Sequence, residues 1–416
     1  MPRNRLFVAS CISLVTTSMV FAIRGDVEPA MSVAFQLDKQ QMGTIWSPAF
    51  WAFTIAIFLS GAVVDSIGLR ALHVLSALGY IAGIGLVLVA PHPAAPVGSV
   101  FGHAGTTLLY AGFLIMGLSQ GLVEGVINPL VATIYSDEKT KWLNRLHAWW
   151  PAGLIIGGLL AVLLTSMGAS WQVKLSTIVI PAIVYLGMAL TTTYPQTERV
   201  QSNVSTGDMW AQAAKPLFLL LFVAMWMTAA AELGPDQWFP SVMGALVPQL
   251  QGVLFLVYTA GLMFVLRTFG SGIAHQNPIG TLFACSLLTA VGLYWLGSLQ
   301  PGASALSAFA AATLFGIGKT YFWPTMTGVT AEQFPRGGAL LLALMGGAGM
   351  LSVAVALPIM GARIDHYGPG AALQLVAGLG VILAFVFGGL MMYFKARGGY
   401  RAVRLSANLG RPRTAG

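Results

Sequence analysis

Of 416 residues, 56% are hydrophobic and only 8% carry a formal charge, against roughly a quarter charged in an average soluble domain. That composition excludes a disordered chain, a nucleic-acid module, a disulfide scaffold and an ordinary cytosolic enzyme. The two cysteines, Cys11 and Cys285, both sit in apolar runs and give no disulfide or metal framework.

A helix crossing ~30 Å of hydrocarbon needs about 20 mostly apolar residues, and twelve segments satisfy this. They are continuous apolar runs without strict alternation, so they predict helices rather than barrel strands. The first, 6–36, follows Met-Pro-Arg-Asn-Arg and reads as a signal anchor, because eleven more spans follow it. It carries Arg24 and Glu28 on one face and Asp26 roughly on the other, and Gly25 and Pro29 permit a local break. Spans 43–64 and 71–90 are joined through Gly61-x3-Asp65-x2-Gly68-x-Arg70. In the fourth span, 105–134, Gln120, Glu124 and Asn128 recur every four residues and share one helical face. The fifth, 144–166, opens on Leu146-His147-Ala148-Trp149-Trp150-Pro151, and the sixth covers 171–193.

After a polar stretch the second set begins at 215–241, which contains Glu232-Leu-Gly-Pro-Asp236. Glu232 lies deeper; Asp236, close to the far end, is expected to be solvated, as is Glu28. Spans 249–268 and 277–299 follow. The tenth, 303–331, carries Lys319 with Phe315 and Trp323 four residues to either side, an aromatic face suited to stacking on a sugar ring. Spans 337–361 and 370–394 complete the set. The chain thus divides into a six-helix bundle over 1–193, a cytoplasmic linker over 194–214, a second six-helix bundle over 215–395 and a basic cytoplasmic tail over 396–416.

Loop charges set the orientation. A cytoplasmic N-terminus puts Arg3, Arg5, Arg70, Lys139, Lys141, Arg145, Arg199, Lys215, Arg267, Arg336 and the six tail cations on one side, and leaves only Lys39 and Arg363 on the other. Both termini are therefore expected in the cytoplasm, in a plasma (inner) membrane. The net charge of +8 reflects topology rather than a nucleic-acid partner.

The halves repeat. Gly121-x-x-Glu124-x4-Pro129 matches Gly316-x-x-Lys319-x4-Pro324, and Gly43 and Gly61 match Gly252 and Gly270 with one constant offset. An axis along the membrane normal would bring Glu124 and Lys319 to face each other across a central cleft. Ionisable groups cost about 2.5–3.5 kcal/mol each at a helix centre, so Arg24, Asp26, Glu28, Glu124, His147, Glu232, Asp236 and Lys319 call for internal pairing. Arg24 is expected to pair with Asp26 or Glu232. A carboxylate between two amides can accept from sugar hydroxyls, which makes Gln120, Glu124 and Asn128 substrate candidates together with Lys319, Trp323 and Phe315. Glu124, Asp26, Glu232 and His147 are the proton-coupling candidates, with Arg24 as charge partner.

The Gly61–Arg70 signature, by spacing, residue type and place in the topology, resembles that of the major facilitator superfamily, the twelve-helix secondary transporters. The resemblance implies an all-α membrane fold of two pseudo-symmetric six-helix bundles, and a gate role for Gly61, Asp65, Gly68 and Arg70. The second half keeps Gly270 and Gly272 but has Ala274, followed by His275, where the acid belongs. Gly361-x3-Asp365-x2-Gly368 is similar but lies on the outer side, where a gate role is not expected. Glu124-x3-Asn128-Pro129-Leu130-Val131 resembles the fucose–proton symporters, in which the matching acid faces the sugar and a first-span aspartate, here Asp26, takes the proton.

No ATP-binding loop, zinc-protease motif or nucleophile elbow is present, so no enzyme activity and no cofactor or metal is expected. The expectation is a monomeric secondary transporter working by alternating access, carrying a sugar or related polar solute with a proton, or with sodium at the same carboxylates. The alternatives are a carrier or exporter of an organic anion held by Lys319 and Arg24, and a non-transporting membrane sensor.

Overall fold

The computed structural model describes residues 3–135, 142, 145–195, 206–270, 274, 276–334, 337–401 and 403. It opens on α1 (Arg3–Phe35), whose 33 residues make a helix of roughly 50 Å, longer than the hydrocarbon layer is thick. Ser10, Thr17 and Ser18 turn their hydroxyls back onto carbonyls one helical turn earlier, so these polar groups need no water.

The other helices of the first half are α2 (Lys39–Trp46), α3 (Pro48–Ile67), α4 (Leu69–Leu88), α5 (Ala104–Ile134), α6 (Trp149–Ser166), α7 (Trp171–Ser176) and α8 (Val179–Leu190). A short helix, α9 (Thr206–Ala213), precedes the second half. That half comprises α10 (Pro216–Leu246), α11 (Val253–Phe269), α12 (Pro278–Ser298), α13 (Ala305–Lys319), α14 (Phe322–Gln333), α15 (Gly338–Tyr367) and α16 (Ala371–Ala396). All secondary structure among the described residues is helical. Among the described residues, ten segments are long and apolar enough to cross a membrane, α2 and α3 supplying one and α7 and α8 another; Val253–Phe269 is a shorter apolar helix.

The expected tenth span divides into α13 and α14, and proline explains the break. Pro324 has no N–H with which to bond the Thr320 carbonyl. That carbonyl accepts instead from Arg267 Nε on α11, at 2.9 Å. The second span likewise pauses at Ser47, with Pro48 starting α3, and the sixth pauses at Thr177 and Ile178, ahead of Pro181.

The halves meet along α1 with α10, α6 with α11, and α2 and α3 with α15. Because α15 runs antiparallel to α2 and α3, Lys39 and Asp365 lie at one end of the molecule, opposite the end that carries Arg3 and Ala396. At that far end the fit is between backbones. A Cβ on Gly43 would lie 2.5 Å from the Leu357 carbonyl oxygen and 2.7 Å from Pro358 Cα, and Gly361 abuts the Lys39 backbone just as closely. The Asp365 carboxylate accepts from the first two N–H groups of α2, Lys39 at 3.1 Å and Gln40 at 2.9 Å. Negative charge at a helix N-terminus is favourable. Deeper in, Thr54 Oγ1 donates to the Gly347 carbonyl at 2.8 Å. Hydrogen bonds join the halves from Asp365 inward to Thr54.

Candidate functional site

Five of the buried ionisable groups named in the sequence pair otherwise than expected. Lys319, the last residue of α13, is fully buried and places Nζ 2.5 and 2.7 Å from the two carboxylate oxygens of Asp236 on α10. It does not face Glu124, and Asp236 is not solvated. Glu232, one turn before Asp236, lies 3.3 Å from Arg267 on α11 rather than against Arg24. The second half thus holds a net-neutral set of two acids and two bases tying α10, α11 and α13 together.

In the first half, Asp26 bonds Lys174 of α7 at 2.7 Å, and Lys174 also reaches Thr165 at 2.6 Å. Glu28, expected at a solvated interface, is fully buried and holds Lys39 Nζ at 2.6 Å through both oxygens. The same Nζ donates to Ser241 of α10 at 3.1 Å, so this pair also bridges the halves. Lys39, Lys174 and Arg267 are the partners that sequence reasoning did not assign, Arg267 having been counted among the loop cations and Lys174 sitting conspicuously inside an apolar run.

Along α5 the four-residue spacing yields a connected chain. Asn128 Nδ2 donates to a Glu124 carboxylate oxygen at 2.9 Å, and Asn128 Oδ1 lies 3.0 Å from His147 Nε2. Because the amide nitrogen is engaged with the acid, Oδ1 is the acceptor and His147 Nε2 carries the hydrogen. Glu124 and Asn128 are half-buried, while His147 is exposed. Gln120, a turn earlier, is fully buried, and neither amide atom finds a protein partner among the described residues. Of the two aromatics, Trp323 is half-buried, but Phe315 is a core residue with its ring 5.2 Å from Phe239 and the Lys319 ammonium 5.1 Å from its centroid. The stacking face predicted for Phe315 is therefore taken up inside the second half.

Arg24 stands apart from the pairs. It is fully buried, its Nε donates to Gln237 Oε1 of α10 at 2.7 Å, and both terminal nitrogens lack a protein acceptor among the described residues. Its guanidinium carbon lies 4.9 Å from the Phe21 ring and 4.8 Å from Phe50, with Trp46 and Phe113 at 6.0 Å. Gly25, beside it, lets α1 approach so closely that a Cβ would sit 3.0 Å from the Gln237 carbonyl oxygen. A desolvated cation–π contact contributes about 2 kcal/mol, whereas a buried unpaired charge costs several kcal/mol even after relaxation. Rings also cannot accept the N–H groups along the guanidinium edge.

Of the gate signature, Gly68 holds φ +89°, a conformation only glycine adopts without strain. Arg70 caps the end of α8, its Nε on the Ala189 carbonyl at 3.1 Å and a terminal nitrogen on that of Leu190. The side chain of Asp65, together with Gly272 and His275 of the second half, lies outside the described residues, and Gly61 is placed in α3.

With this geometry in view, residues 6–336 match the family model of the Major Facilitator Superfamily. The chain belongs to the major facilitator superfamily. Its fold is shared with solved members of that superfamily. The nucleoside transporter NupG superposes with a TM-score of 0.72 at 14% identity, covering 94% of this chain and 99% of that one. The xylose transporter XylE from E. coli, in a partially occluded inward-open conformation, gives 0.75 at 13% identity, covering 93% and 97%. A POT family transporter in complex with a thioalcohol-conjugated peptide gives 0.71 at 12%, covering 94% and 96%. No curated protein matches the sequence. As a major facilitator the protein is a multi-pass membrane transporter, with all-α architecture in two six-helix bundles.

Proposed function

We propose that the protein is a secondary active transporter that moves a sugar-like polar solute together with a proton by alternating access. The observation that carries this reading is the Glu124–Asn128–His147 chain, which connects a half-buried acid on α5 to an exposed imidazole through two hydrogen bonds. Both hydrogen bonds donate toward the acid, His147 Nε2–H to Asn128 Oδ1 and Asn128 Nδ2–H to the Glu124 carboxylate, so the charge state of the exposed imidazole is coupled to that of Glu124 through one amide. Neutral Glu124 can be carried through the bilayer midplane at much lower cost than its carboxylate.

The closed end, where Asp365 holds α2, is the outer one, and the shape is inward-facing with both termini in the cytoplasm of a plasma (inner) membrane. Residues 1–193 and 215–395 rock as two bundles about a midplane site formed by the first, fourth, seventh and tenth spans. A proton moving inward under 100 mV contributes about 2.3 kcal/mol. Asp26 and Glu232 support the charge balance, each held by its own cation, and a sodium ion is the alternative coupling partner.

Purified protein in proteoliposomes, given radiolabelled xylose, fucose, nucleosides and sugar acids under an imposed pH gradient, tests the proposal. Solute uptake that rises with the gradient and disappears in Glu124→Gln supports it. Uptake indifferent to the gradient for every solute moved would sink the coupling.

A further inference from the structure

We propose that Arg24 is the anchor for an oxyanion, so that the transported solute carries a carboxylate or phosphate group. This deepens the transporter reading and rests on it. The groups at this place are rich in donors and short of acceptors. Both terminal nitrogens of Arg24, the indole N–H of Trp46 and the indole N–H of Trp238 are buried without a protein acceptor among the described residues. The two indole rings lie 5.2 Å apart, and Trp46 flanks the guanidinium. Among the described residues, the acids of the surrounding spans have other partners: Asp26 with Lys174, Glu28 with Lys39, Glu232 through one oxygen with Arg267, Asp236 with Lys319, and Glu124 with Asn128.

A guanidinium whose edge presents parallel N–H groups matches the paired oxygens of a carboxylate or phosphate. The aromatic walls set by Phe21 and Phe50 exclude water from that contact and so strengthen it. The position is also the right one for a moving carrier. Arg24 and Trp46 belong to the first half and Gln237 and Trp238 to the second, so an oxyanion seated here touches both bundles at once. Lys319, the other cation offered by the sequence for this role, is already neutralised by two contacts to Asp236 and takes no part.

The test compares matched anionic and neutral probes on purified full-length protein in lipid nanodiscs. Glucuronate is set against glucose, benzoate against benzyl alcohol, and inorganic phosphate serves as a third anion. Thermal unfolding and tryptophan emission are followed in the native protein and in Arg24→Gln. A carboxylate or phosphate should raise the native Tm by roughly 2–4 °C at a hundredfold excess over its Kd and change the emission, while the neutral partners do neither. The carboxylate and phosphate arms then distinguish the two head groups. Arg24→Gln should lose that response, yet melt no lower than the native protein without ligand, since it deletes an unpaired charge.

Anions that do no better than their neutral partners, or a response retained in Arg24→Gln, would overturn the anchor. So would a ligand-free variant melting well below native, because the guanidinium would then be satisfied within the protein. Proteoliposome flux separates the two proposals. Neutral sugar uptake without any anion response removes the anchor and leaves the carrier, whereas an anion response with no flux of any solute removes the carrier and keeps the anchor.

Discussion

The pairing of Lys319 with Asp236 lends itself to a double-mutant cycle. Both side chains are buried and the ammonium touches both carboxylate oxygens at 2.5 and 2.7 Å. Asp236→Asn leaves a cation without a counter-charge in the interior of the second half, and Lys319→Gln leaves a carboxylate. Removing one partner of a buried pair costs about 3–5 kcal/mol, whereas replacing both is far cheaper. Scaling the usual unfolding entropy per residue to a chain of this length converts that loss to a fall in Tm of roughly 3–6 °C. The four proteins, purified in one detergent and melted by fluorescence-detected size exclusion, should show two damaged single variants and a double variant that recovers at least half of the summed loss. A parallel cycle between Lys319→Gln and Glu124→Gln should be additive. Additivity in the first cycle, or coupling in the second, would refute the assignment and restore a pair between the halves.

Other expectations follow from the same geometry. Asn128→Ala removes both hydrogen bonds of the α5 chain and should lower gradient-driven uptake by about tenfold or more, the equivalent of one lost hydrogen bond to a charged group; solute exchange without a gradient should hardly change. Gly43→Ala puts a methyl against the Leu357 carbonyl and should disfavour the observed closure, read as a lower Tm. Gly85→Ala, with open space around it, should leave Tm unchanged or raise it by about 1 °C, the equivalent of about 1 kcal/mol of helix propensity. Asp365→Asn weakens two bonds to the start of α2 and should shift the open–closed balance by about 1–2 kcal/mol. In cells carrying Thr54→Cys, that shift should raise labelling by an impermeant maleimide added from outside by about 5- to 30-fold, against a low background because Cys11 and Cys285 are buried.

The helices were legible in the sequence because membrane spans announce themselves by length and apolarity alone, and the observed segments follow the predicted ones within a few residues. The breaks were less so. Pro324 and Pro48 stand in plain view, but a proline in a membrane helix is compatible with a kink or an interruption, and only the Arg267 guanidinium, reaching Thr320 from another helix, decides the matter. The charge partners were the least legible part. Sequence symmetry placed Glu124 opposite Lys319, yet a one-turn relation of Asp236 to Glu232 on α10 supplied a nearer acid, and proximity outweighs symmetry. The four-residue spacing on α5 did foretell the contact of Glu124 with Asn128, since such neighbours share a face whatever surrounds them. Asp365 carried a signal in its glycine spacing, and its use at the start of α2 depends on a register between the halves that no local pattern encodes.

The far-end seam between α2 and α15 is made mainly of main-chain atoms, with carbonyls and amides meeting glycine and a single carboxylate. A latch of that kind has almost no side-chain vocabulary to vary. Neighbouring surfaces can drift in residue type without disturbing it, while one extra carbon at Gly43 or Gly361 jams it. Tolerance and fragility therefore sit side by side along a few turns of helix, and a saturation screen across 39–46 and 357–365 should return a map that is flat except for sharp, size-dependent cliffs.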